Sequence, residues 1–180
     1  MAFSVSKFRS TGLVKGGARP NLFEVLFVGA DAAPKVKEAA FSYLCKIASI
    51  PPSTMGVVEV PYFGRMVKVP GNRTFDNLSL TVINDEDMIL RNSFEGWMNK
   101  MNTHVGNVSN QPDTLLGSIQ VRHYVRGDVT SLASGAAWNF INVFPVALGE
   151  IALDWSSNDT IEEFTVDFAY DYWTHGEHAA

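Results

Sequence analysis

The sequence predicts a mainly β fold: a small β-barrel or orthogonal β-sandwich, with one α-helix covering a barrel mouth or a sheet edge. Three observations point there. Short segments of alternating polar and apolar residues recur between turn-forming residues, and the 180 residues include 14 Gly and 8 Pro. A single stretch, residues 90–101, has the three-and-four spacing of an amphipathic helix. The composition, 46% hydrophobic and 12% aromatic, supplies one sizeable core and argues against disorder.

The elements follow in order. Residues 1–17, rich in Ser, Gly and Lys, read as a flexible arm, and 174–180 as a small polar tail. No linker or internal repeat divides residues 18–173, which read as one domain. Residues 22–28 are apolar on both faces, as in a strand buried on both sides. Residues 31–38, with Pro34 and two Lys, read as an exposed loop. Residues 41–47 form a strand with Phe41, Tyr43, Cys45 and Ile47 on one face, and Pro51-Pro52-Ser53 breaks it. Residues 57–62 and 65–69 flank Phe63-Gly64 as a hairpin.

Pro70-Gly71-Asn72 reads as a turn, and residues 77–83 alternate with period two. Asn84 is placed to cap a helix, with Asp85, Glu86 and Asp87 at its positive end. In that helix Leu90, Phe94, Trp97, Met98 and Met101 form one apolar stripe, read as core packing. Asp87 supports Arg91 four residues on, and Lys100 lies near the negative end. Further strands are expected at 118–124, 136–144, 151–155 and 163–172, with a turn at Arg126-Gly127-Asp128.

Composition narrows the function. A net charge of -5 with scattered Lys and Arg argues against tight nucleic-acid binding. Cys45 is alone, which excludes an intrachain disulfide and a cysteine zinc cluster. The N-terminus lacks the apolar segment of a signal peptide, and no run is long enough to cross a membrane, so synthesis in the cytosol is expected. His175 and His178 have i,i+3 spacing but no third ligand nearby, and His104 and His123 stand alone. No nucleophile elbow or phosphate loop appears. The expectation is no active site, no metal and no cofactor. Charged residues at only 18% suggest that partners cover part of the surface.

Several segments together resemble the tube protein of contractile phage tails of the T4-like kind. Ala18-Arg19-Pro20-Asn21-Leu22-Phe23 resembles that family's first-strand opening. Asn72-Arg73-Thr74-Phe75-Asp76 and Leu80-Thr81-Val82-Ile83-Asn84-Asp85-Glu86 are similar to its central strand and helix entry. Phe94-Glu95-Gly96-Trp97, Val121-Arg122-His123-Tyr124, Gly149-Glu150-Ile151-Ala152-Leu153-Asp154-Trp155 and Asp171-Tyr172-Trp173 continue the match in order across about residues 18–173. The 30–38 loop and the tail after Trp173 depart from it.

The resemblance implies an Hcp-like tail-tube fold and hexameric rings that stack into a hollow tube for genome delivery, located in the virion tail. It implies as partners further copies of the chain, the tail sheath protein, the baseplate hub, a tape-measure protein in the lumen, a tail terminator and passing DNA in transient non-specific contact, with no membrane. A phage-derived injection device or type VI secretion tube is the neighbouring reading. A ligand-binding β-barrel and a barrel enzyme are the readings from other classes.

Under that resemblance the strand faces acquire roles. Glu59, Lys68, Asn77, Ser79 and Thr81 are candidates to line the lumen, and residues 49–72 are expected to help join rings. In 163–172, Phe164, Val166, Phe168, Tyr170 and Tyr172 alternate with Glu163, Thr165, Asp167, Ala169 and Asp171. Glu163, Asp167 and Asp171 are candidates to face basic residues of a sheath, with a solvated strand face and a lumenal position as the alternatives.

Overall fold

The computed structural model describes residues 4–13, 16–28, 33, 36, 40–106, 114–126 and 128–176, with backbone alone for 40 and 128–135. Its strands are β1 (Phe23–Val28), β2 (Cys45–Ser49), β3 (Ser53–Tyr62), β4 (Arg65–Phe75), β5 (Leu78–Ile83), β6 (Gly117–Val125), β7 (Asp128–Leu148), β8 (Glu163–Ala169) and β9 (Tyr172–His175). The helices are α1 (Val5–Lys7), which runs into a π-helical turn at Phe8–Gly12, α2 (Ala40–Leu44) and α3 (Ile89–Met101).

Seven strands form one antiparallel path, β1-β6-β7-β8-β5-β2, with β9 paired to β7; β3 and β4 form a separate two-stranded sheet. The 21-residue β7 belongs to both layers: its residues 138–141 pair with β9, and 144–148 pair with β8. Between these parts Asn142 adopts a left-handed φ of 58°. Its Nδ2 donates to Asp171 Oδ2 at 2.5 Å, and Asp171 N donates to Ile141 O at 3.1 Å. A bent strand that changes layers is how sandwich corners are built. The ends of the path, β1 and β2, are not hydrogen-bonded to each other, so the fold is an open sandwich and not the closed barrel that was the alternative.

The core lies between the layers and under α3. Leu90, Phe94 and Trp97 are buried on its inner face, as their spacing predicts. Phe94 packs edge-on against Phe168 at 5.8 Å and Trp97 against Phe27 at 5.3 Å, favourable arrangements for aromatic quadrupoles. Trp97 Nε1 donates to Leu115 O at 2.8 Å, so the buried indole leaves no donor unmet.

Several local expectations are corrected. Strand β1 is buried on one face only, through Val25 and Phe27, while Val28 is exposed. Of residues 31–38 only Ala33 and Val36 are described, and both are buried core residues rather than parts of an exposed loop. Residues 40–44 are helical, so Phe41 and Cys45 point inward at i,i+4 while Tyr43 faces solvent. Pro70-Gly71-Asn72 lies within β4. Asn84 does not cap α3: it is buried, its Nδ2 donates to Glu162 Oε1 at 2.6 Å, and the helix begins after Met88, at φ 50°. Asp85 Oδ1 instead accepts from Ile89 N at 3.0 Å. Arg91 pairs with Glu95, Nε to Oε1 at 2.8 Å, and not with Asp87. Residues 151–155 are not a strand. The final strand breaks at 170–171, so Tyr172 starts β9 and is exposed.

Candidate functional site

The surfaces available for contact are built by three elements. The first is the β3–β4 hairpin. Phe63 and Gly64 take φ of 45° and 76°, the paired positive angles that make a tight hairpin turn. Opposite Gly56 the strands come very close: a Cβ on Gly71 would meet Gly56 O at 3.1 Å, beside a register shift between Met55 and Val57. Phe75 at the base of β4 packs against Tyr170 and Trp173, while every residue of β3 is exposed.

Its register sorts the side chains. Val58 opposes Val69, Val60 opposes Val67 and Tyr62 opposes Arg65, which makes one face largely apolar. The other face carries Val57 opposite Pro70, Glu59 opposite Lys68 and Pro61 opposite Met66. The lumen candidates Glu59 and Lys68 are therefore an ion pair, Oε1 to Nζ at 3.8 Å, well exposed on both sides. Two strands alone are at best marginally stable in water, and contiguous exposed apolar surface marks a contact site.

The second element is the outward face of β2, β5 and β8. In β5, Leu78, Leu80 and Val82 are buried, which turns Ser79 and Thr81 outward. In β8, Phe164, Val166 and Phe168 are buried, which turns Glu163, Thr165 and Asp167 outward. The register sets Ser79 opposite Asp167, Thr81 opposite Thr165 and Ile83 opposite Glu163. Lys46 Nζ binds Glu163 Oε1 at 2.5 Å. This face is thus hydroxylic and acidic, with its lysine already paired and with Ile47 and Ile83 beside the polar groups. Asn77 lies just before β5 and is exposed, outside the strand alternation. Asp171 has left the ladder and holds the corner at Asn142, apart from Glu163 and Asp167.

The third element is the loop 149–162. Arg91 Nη1 donates to Gly149 O at 2.7 Å, and the guanidinium lies 5.4 Å over the Phe164 ring, fixing the loop's start. Asp154 accepts from Ser156 N at 2.9 Å and Ser156 Oγ at 2.8 Å, and these bonds, the backbone one foremost, hold its carboxyl below the usual range. The turn presents Trp155 fully to solvent, at 101% relative exposure, with Leu153 at 80%. Sequence reading took Trp155 into a strand. The polar run Asp154, Ser156, Ser157, Asn158, Asp159 was the available loop signal.

The histidines singled out in the sequence lie apart from one another among the described residues. His175 stacks on Trp138 with centroids 5.1 Å apart, and His178 lies outside the described residues. His123 Nε2 hydrogen-bonds Arg19 O at 2.7 Å. Among the described residues no three His, Cys, Asp or Glu side chains are grouped as metal ligands, and no helix is long and apolar enough to cross a membrane.

Comparison with known proteins follows from this geometry. Residues 18–176 match the family described as phage tail tube protein. The chain is 32% identical over 160 residues to the tail tube protein gp19 of Enterobacteria phage T4, covering 87% of this chain and 90% of that protein, with the same figures for phage T6. In structure it is similar to a chain of the sheath-tube complex of an extracellular contractile injection system in its extended state, with TM-score 0.62 and 19% identity over 97% of this chain and 98% of that one. That likeness supports the fold.

Proposed function

The chain belongs to the phage tail tube protein family, and from that premise we propose that it polymerises as stacked hexameric rings into the inner tube of a contractile tail. It is a structural protein of the virion tail. The carrying observation is the β3–β4 hairpin, whose apolar face of Val58, Val60, Tyr62, Val67 and Val69 is exposed among the described residues. A subunit of the next ring would cover it, and residues 49–72 are the joining element. The open ends of the strand path suit the same reading, since neighbours in a ring would pair or cover the edges β1 and β2.

The bore assignment and the sheath assignment made from sequence meet on one surface, because Ser79 and Asp167 stand opposite each other. We place that surface on the bore. With Lys46 held by Glu163, this face offers DNA phosphates no free cation, which favours free passage. Ser79, Thr81, Glu163 and Asp167 then line the channel, with Asn77 at its margin. Glu59 and Lys68, paired on the hairpin, remain candidates for the bore. Asp171 remains a candidate for the outer wall and a sheath.

The sheath, baseplate hub, tape-measure protein and tail terminator are the partners of this role, which is structural and not catalytic. Cryo-electron microscopy of the purified protein, alone and with baseplate, tests the proposal. Hollow tubes with six-fold rings are expected. A monomer or closed dimer under every condition would end it.

A further inference from the structure

Two surfaces near opposite ends of β7 are opposite in charge and each carries exposed apolar side chains, and neither is used by the contacts above. The loop 149–162 leaves β7 after Leu148 and presents Trp155. It is held at both ends: Gly149 N donates to Thr165 O at 2.7 Å, and Asn84 N donates to Glu162 O at 2.9 Å. Across residues 149–162 it carries Glu150, Asp154, Asp159 and Glu162 and no Lys or Arg.

A cleft of about 460 Å³ lies at the other end, between the N-terminal arm and the end of β6. Thr11, Leu13, Arg19, His123, Tyr124 and Arg126 are among its lining. Arg19 and Arg126 are exposed and have no carboxylate partner among the described residues. The carboxylate next to the cleft, Glu24, accepts from the Tyr124 hydroxyl. Its Leu13 and Tyr124 supply apolar wall, and its arginines a cationic rim.

A chain cannot bring its own loop to its own cleft. Ala137 pairs with Arg122 near the cleft, and from there to Leu148 β7 runs roughly 35 Å at about 3.3 Å per residue, less its bend. A knob and a socket at separate ends of one molecule make a heterologous contact, which propagates from copy to copy. Trp and Arg are also the residues that most often dominate contact energies.

We propose that Trp155 of one copy inserts into the Leu13–Tyr124 cleft of the next copy, with Glu150 and Asp154 facing Arg19 and Arg126. This rests on the reading that the chain assembles with itself, and adds a second contact to the hairpin.

The test mixes two single variants that keep the contact residues, Thr11→Cys at the cleft and Ser157→Cys beside Trp155, and treats the assembly with a short bifunctional maleimide. Both positions are exposed. Cys45 is buried with its thiol pushed up to about 12 by desolvation, so it stays silent. The mixture should give at least tenfold more covalent dimer than either variant alone. Tubes without that dimer would overturn the contact and leave the tube reading standing. Dimer without tubes would keep the contact and sink the tube reading, and absence of both would sink both. Should either cysteine variant misfold, the fluorescence difference between wild type and Trp155→Phe decides: it should shift to the blue on assembly, and an unmoved difference overturns the contact.

Discussion

Ser79 and Asp167 are cross-strand partners, and Thr81 stands likewise opposite Thr165. Partners in an antiparallel pair send their side chains to the same side of the sheet. Whatever meets the hydroxyl of Ser79 therefore also meets the carboxylate of Asp167. Along this face the acid next to the edge, Glu163, is matched by Lys46, while Asp167 has no such partner among the described residues. The uncompensated negative charge of the face thus centres on Asp167.

Asp167→Lys separates bore from outer wall. On a bore face it would place a ring of cations against passing phosphates, an attraction that falls steeply with salt. The mutant tubes should accept sheath as well as wild type at low and moderate salt, while DNA release from the particle slows at low salt. Sheath assembly lost with DNA release unchanged would move the face to the outer wall.

Gly149→Ala should destabilise the β7–β8 junction. A Cβ there would meet Thr165 Oγ1 and stand 3.1 Å from Thr165 N, tighter than ordinary packing. Overpacking of this sort typically costs about 1–3 kcal/mol. Thr165→Ala in the same chain should recover part of the loss, since the backbone contact remains. Equal urea midpoints for Gly149→Ala and wild type would refute this.

Trp97→Ala should be the severest of these changes. It removes a side chain with no exposed surface, in edge contact with Phe27, and leaves Leu115 O without its donor. Large-to-small aromatic changes cost about 3–5 kcal/mol, a large part of a typical total of about 5–15. Trp97→Phe should lose less. Urea unfolding checks both.

The legible parts of this chain were those where local pattern and tertiary burial agree. The alternation of Leu78, Leu80 and Val82 against Ser79 and Thr81, and the stripe of Leu90, Phe94 and Trp97, each name the buried face correctly. Residues 41–47 misled because Phe41 and Cys45 satisfy both period two and i,i+4; the burial of Phe41 with Tyr43 outside shows which won. Asn84 has the chemistry of a cap, yet a long-range partner, Glu162, claimed its side chain. The shared face of Ser79 and Asp167 was invisible, since register between strands 88 residues apart is not written in either strand. The exposure of Trp155 on a loop was hidden because apolar content at 151–155 resembles a short strand.

Stability should fall at alkaline pH. Burial pushes the Cys45 thiol up to about 12, and desolvation, with Asp76 nearby, pushes the Tyr170 phenol up to about 12. A group whose folded pKa lies above its unfolded value holds its full contribution below the unfolded value, near 8.5 for Cys and 10 for Tyr. That contribution is lost as pH rises toward the folded value. The melting temperature should be flat through neutral pH and drop between about pH 9 and 12. Cys45→Ala should shallow the early part of that drop; an unchanged slope would show that Cys45 does not contribute.

The hairpin supplies the sharpest division between folding and assembly. Apart from Phe75 at its base, which packs against Tyr170 and Trp173, its side chains are exposed or nearly so, and the sheet β3–β4 is not hydrogen-bonded to the other seven strands. Val60→Asp or Val67→Asp therefore removes no buried contact of the monomer, and surface changes of this kind usually shift stability by within about 0.5 kcal/mol. In an assembled tube the same carboxylate would be buried without a partner, which costs several kcal/mol per site. Repeated at every subunit, that cost should abolish growth. The expected result is a soluble protein with wild-type circular dichroism and a near-wild-type urea midpoint that forms no tubes. Glu59→Gln, which breaks only the exposed pair with Lys68 on the opposite face, should leave tubes intact, because such pairs contribute about 0–1 kcal/mol. Tubes of normal length from Val60→Asp would show that the apolar face of the hairpin is not the ring-joining surface.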